Sequence, residues 1–90
     1  MKLTKEMTEI MFNSLVKGLC KRISEDETIE NADSATMVYR EYKERIDNLF
    51  IGIVELVFFG NCIDSVTLHE LIEIRINAKI KLSNFCHNQR

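Results

Sequence analysis

The stretch Leu49-Phe50-Ile51-Gly52-Ile53-Val54-Glu55-Leu56-Val57-Phe58-Phe59 most narrows what this chain can become. It carries one charge, Glu55, and one residue without a side chain, Gly52. Read as helix, it is apolar on nearly every side, so something must cover it. The pattern begins upstream. Tyr39, Tyr42, Ile46, Leu49, Ile53 and Leu56 follow alternating three- and four-residue steps, the seam of a coiled-coil-like packing. Around the first half of that seam stand Arg40, Glu41, Lys43, Glu44, Arg45 and Asp47. In the second half Phe50, Ile51, Val54, Val57, Phe58 and Phe59 widen the apolar surface, and only the line Glu41, Asn48, Glu55 stays polar. The spacing predicts one long central helix over about 34–60. Asp33 or Ser34 would cap its start, and Gly60-Asn61 would end it.

A first helix is predicted over about 4–24. Leu3, Met7, Ile10, Met11, Leu15, Gly18, Leu19 and Ile23 form one apolar stripe, opposite Lys2, Glu6, Glu9, Asn13, Lys17 and Lys21. Gly18 in that stripe is either simply tolerated or marks the close passage of another backbone. Residues 25–33 form an acidic connector, Glu25-Asp26-Glu27-Thr28-Ile29-Glu30-Asn31-Ala32-Asp33, expected to be solvated. Its last acids sit near the start of the central helix, where negative charge is favourable.

The last helix is predicted over about 65–86. Thr67-Leu68-His69-Glu70 has the form of a capping box, flanked by Val66 and Leu71 as a hydrophobic staple. Within it Ile72, Ile74, Ile76, Ala78, Ile80 and Leu82 alternate strictly with polar residues, so a β-strand over 72–82 is the alternative. Arg75 and Lys79 intrude into the apolar arc of the helical reading. A lone strand would leave an unpaired edge, which favours the helix. The polar stretch from Ser83 is expected to fray, with 87–90 as a tail.

Ninety residues make one domain, and a chain this short buries only about 60–65% of its unfolded surface. There is no proline and there are only three glycines, too few turn residues for a sandwich or barrel. The expected fold is therefore all-α, a three-helix antiparallel bundle with a long central helix. Three cysteines at irregular spacing are not a disulfide framework, and a reducing, cytoplasmic setting fits them better. A bilayer span wants about 20 apolar residues, whereas 46–63 is broken by Asp47, Asn48, Glu55 and Asn61.

Candidate chemistry is sparse. Glu41-x-x-Glu44 and Glu70-x-x-Glu73 place carboxylate pairs one turn apart on consecutive helices, a pattern that can hold Mg²⁺ through oxygen ligands. The spacing loosely resembles the MazG family of all-helical nucleoside-triphosphate pyrophosphohydrolases, with Glu73 where that family favours aspartate. The resemblance covers four residues and implies metal-dependent nucleotide hydrolysis. Cys62, His69, Cys86 and His87 have the residue types for zinc but none of its usual spacings. Lys17, Lys21 and Arg22, and Arg75, Lys79 and Lys81, form two modest basic clusters. A net charge of −2 and the lack of a recognition motif argue against a general nucleic-acid binder.

The leading expectation is a non-enzymatic interaction or regulatory protein, an adaptor or inhibitor that binds another protein; a metal-dependent nucleotide pyrophosphohydrolase is the alternative and a nucleic-acid-binding regulator the second. Two flanking helices cannot enclose so oily a rod, so its cover is expected from a second copy in a homodimer or from a different protein. The expected interface is Tyr39, Tyr42, Ile46, Leu49, Phe50, Ile53, Val54, Leu56, Val57 and Phe58.

Overall fold

The computed structural model describes residues 2–26, 29, 34–60 and 65–89, and among them there is helix and no strand. Four helices follow in order: α1 (Lys5–Glu25), α2 (Ala35–Tyr42), α3 (Glu44–Phe58) and α4 (Leu68–Gln89). The all-α expectation holds, and the strand alternative for 72–82 is replaced by an uninterrupted stretch of α4.

Each start has a local cause. Thr4 caps α1 by accepting from the Met7 N–H, and Ser34 caps α2 by accepting from the Met37 N–H. At α4 the capping box forms in both directions. The Glu70 N–H donates to Thr67 Oγ1 at 3.1 Å, and the Thr67 N–H donates to Glu70 Oε1 at 3.0 Å. Val66 and Leu71, the two staple residues, are both buried.

The central helix is not one regular run. It bends at Lys43, whose carbonyl accepts from both the Ile46 N–H at 3.0 Å and the Asp47 N–H at 3.3 Å. The first of these is a three-residue bond that tightens the turn and separates α2 from α3. No proline or glycine marks the place. It falls where the packing changes, since α2 lies chiefly on α4 while α3 lies between α1 and α4. A second correction concerns the C-terminal stretch. Instead of fraying from Ser83, α4 continues to Gln89, held by Phe85 and Cys86 on the core, with Cys86 1% exposed.

Direction follows from two ties made by the backbone of Leu3. The Leu3 N–H donates to Ser65 Oγ at 3.1 Å, and the Val66 N–H donates to the Leu3 carbonyl at 2.8 Å. The starts of α1 and α4 are thereby clasped side by side. Further along, Lys81 Nζ donates to Asn13 Oδ1 at 2.9 Å, so α1 and α4 run parallel. The α2–α3 arm runs antiparallel to both, giving an up-down-up bundle 47 × 18 × 16 Å. Its core includes Phe12, Val16 and Leu19 of α1, Val38 and Tyr42 of α2, Ile46, Ile53 and Val57 of α3, and Leu71, Ala78 and Leu82 of α4.

The acidic connector is not wholly solvated. Glu25 closes α1, and Asp26 Oδ2 accepts a 2.6 Å hydrogen bond from the Tyr42 hydroxyl. The rest of the connector apart from Ile29 lies outside the described residues, as do Asn61 and Cys62. Gly18 is settled as well, because a Cβ there would meet nothing within 4 Å and no backbone passes close.

Candidate interaction surface

The two charges that intruded into the apolar arc of α4 are the residues that seat α3. Arg75 lies over the Phe50 ring at 4.1 Å from its centroid, and Lys79 Nζ meets Asp47 Oδ1 at 2.6 Å. Arg75 lays its guanidinium on an aromatic face while its stem covers apolar surface. The Asp47–Lys79 pair keeps a quarter to a third of each side chain in solvent, 30% and 25%, so it orients the helices more than it stabilises them.

These two links also set the level of α3 against α4. Both helices rise equally per residue, so with Asp47 opposite Lys79 and Phe50 opposite Arg75, Val54 lies level with Ile72 and Phe58 with Leu68. At about 100° per residue, Asp47, Ile51, Val54 and Phe58 fall in an arc of about 60° on α3. By the same rule Leu68, Ile72, Arg75, Ile76 and Lys79 fall in an arc of about 100° on α4, with Ile80 just beyond. The two arcs adjoin. On them Ile51 is 53% exposed, Phe58 45%, Leu68 47%, Ile76 47% and Ile80 51%, with the exposed His69–Glu73 pair interleaved on α4.

A smaller apolar strip lies on the α1–α3 side, with Met7, Met11, Leu56 and Phe59 exposed. Between α1 and α4 there is an open groove of about 450 Å³ lined by Ile10, Asn13, Ser14, Val16, Lys17 and Lys81. Its lining residues include the Ser14 hydroxyl but no histidine or carboxylate to activate it.

Of the ten residues expected at the interface, Tyr42, Ile46, Ile53 and Val57 are buried inside the chain itself. Tyr39, Leu49, Phe50 and Val54 are half-buried against the same core, while Leu56 and Phe58 are exposed. The seam seen in the sequence, Leu56 apart, is thus spent on the intramolecular core. The outward surface is built from Ile51 and Phe58 together with Leu68, Ile76 and Ile80 of α4. Periodicity alone could not separate these from core positions, because α4 is apolar around most of its circumference.

The carboxylate pairs do not meet. With Asp47 opposite Lys79, the level of Glu41 and Glu44 is on the order of 15–20 Å along the bundle from Glu70 and Glu73. Glu70 is engaged by Thr67, whose N–H and hydroxyl hold its carboxyl below the usual range, and Glu73 sits 3.2 Å from His69. Among the described residues no group of three or more His, Cys, Asp or Glu side chains is placed to hold a metal ion. Cys86 is buried rather than in a tail, and His87 Nδ1 lies 2.8 Å from the Ser83 carbonyl. Burial also raises the Cys20 thiol above its ordinary value.

The second basic cluster divides, Arg75 and Lys79 turning to α3 and Lys81 to α1. Among the described residues no helix is long and apolar enough to cross a membrane. No protein-family model, curated protein or solved structure matches this chain, so its surface chemistry is what its function must be argued from.

Proposed function

We propose that this chain is a non-enzymatic helical interaction protein that acts by binding another polypeptide through the α3–α4 face. The supporting observation is a set of large apolar side chains left exposed beside the α3–α4 seam while the core beneath is formed. Ile51, Phe58, Leu68, Ile76 and Ile80 each expose about half their surface although the helices beneath them are fully packed. Exposed apolar patches of several hundred Å² on a small soluble protein commonly serve binding. Two parallel apolar ridges with a polar Asp47–Lys79 pair at one end suit a helix laid alongside, whose side chains would enter at three- and four-residue steps.

The test immobilises the wild-type chain and an Ile51→Lys/Ile76→Lys variant side by side and compares the proteins each retains from a lysate that also contains free copies of the chain itself. Both positions are exposed, so helical content should be equal. The reading expects proteins held by the wild type and released by the variant. Equal retention by both, or none by either, overturns it.

A further inference from the structure

We infer that the α3–α4 face is covered by the same face of a second copy, about a twofold axis running along the bundle; this rests on reading that face as a protein interface. Three observations point to self-pairing. The first is area. Five large side chains, each 45–53% exposed, leave roughly 500 Å² of apolar surface at about 200 Å² per large side chain. A standard interface buries about 800 Å² per partner, somewhat more than half of it apolar, so the face is about the size one side of a stable dimer needs.

The second observation is complementarity already present in one copy. The α3 edge fits the α4 edge, as Phe50 with Arg75 and Asp47 with Lys79 demonstrate. A twofold axis along the bundle keeps every residue at its own level and exchanges left for right. Each α3 then faces the α4 of the other copy at the register it uses within its own. Ile51 meets Ile76, Val54 meets Ile72 and Phe58 meets Leu68. All neighbours in the resulting four-helix layer are antiparallel, the arrangement of ordinary bundles.

The third is charge. Asp47 and Lys79 are partly exposed on this face, and the axis sets Lys79 of one copy over Asp47 of the other. The two pairs close into a ring of alternating sign. A face of unbroken single charge at that level would instead repel its own copy.

Sedimentation velocity at tens of micromolar tests this on the full chain. The wild type is expected at twice the 10.5 kDa chain mass. Scattering should show a longest dimension near the 47 Å of one bundle, because the copies lie side by side. Ile51→Lys and Ile76→Lys should each sediment as monomers with unchanged helical circular dichroism. Met7→Lys, on the α1–α3 side and 47% exposed, should stay dimeric. A wild type that is monomeric throughout that range overturns self-pairing outright. So does a dimer that survives both lysines or falls apart with Met7→Lys. A monomeric wild type that still holds proteins which the Ile51→Lys/Ile76→Lys variant releases would sink the second copy and leave the protein-binding reading standing.

Discussion

The two edges of α4 have opposite characters, and the contrast separates what holds this fold from what it offers. Toward α1 the edge is bordered by Asn77 and Lys81, with Lys81 reaching Asn13, and the surface beyond mixes Asn13, Ser14 and Lys17 with an exposed Ile10. Toward α3 two polar links sit inside the seam, where Arg75 lies on Phe50 and Lys79 meets Asp47, and beyond it Ile76 and Ile80 stand exposed beside the His69–Glu73 pair. A helix edge normally grades from core to solvent. The α1 edge does so, whereas the α3 edge reverses and becomes apolar again. Apolar side chains outside a polar seam contribute little to the core, and on that ground we propose that they serve association.

The contrast breaks if core and outer residues of α4 behave alike. Leu82 is fully buried, and Leu82→Ala should cost about 2–5 kcal/mol in urea unfolding. Ile76→Ala, in dilute solution, should cost under about 1 kcal/mol, because half of that side chain is already in water. Raising the protein concentration should widen the Ile76 effect and leave the Leu82 effect unchanged if Ile76 acts through association.

A smaller difference is expected between the cations of the two edges. Arg75→Ala removes a ring contact and the stem beneath it and should cost about 1 kcal/mol by the same measurement. Lys81→Ala removes one exposed hydrogen bond and should stay within about 0.5 kcal/mol of wild type. Equal losses would show that the α3 seam is no more specific than the α1 seam.

The smallest effect is a pH dependence at the start of α4, where both edges begin. Hydrogen bonds from Thr67 hold the Glu70 carboxyl below its ordinary value of 4.5. A carboxyl lowered in the folded state binds protons more readily when unfolded. Its stabilisation is therefore present above pH 4.5 and fades as pH falls through the lower folded value. Unfolding curves for wild type and Glu70→Gln should converge as the solution is acidified below pH 4.5. Curves that stay parallel would remove Glu70 from the cap.

Much of the fold was legible in the residues. Ser34, Thr67 and Glu70 announced their helix starts because capping is local, needing only a side-chain oxygen within three positions of a free N–H. The bend at Lys43 was not legible, since it lacks proline or glycine and falls where α2 and α3 change neighbours. The length of α4 was misjudged for a related reason. Ser83, Asn84 and His87 read as tail, yet Phe85 and Cys86 reach a core that α2 also supplies. The candidate surface was half legible. A surplus of apolar residues in the central helix was plain, but its seam turned inward, and the outward face borrowed Leu68, Ile76 and Ile80 from α4.

Periodicity and capping, both matters of neighbours within a turn or so, determined by themselves the first helix and an unusually apolar central one, while over 72–82 the capping box and the alternating pattern pulled apart. Only the tertiary structure decided which of several apolar arcs each helix buries. A helix apolar on three sides satisfies its own backbone equally well in any rotation. The choice was made by contacts between residues far apart in the chain, with Asp47 on Lys79 and Phe50 under Arg75 setting the rotation and level of α3 on α4.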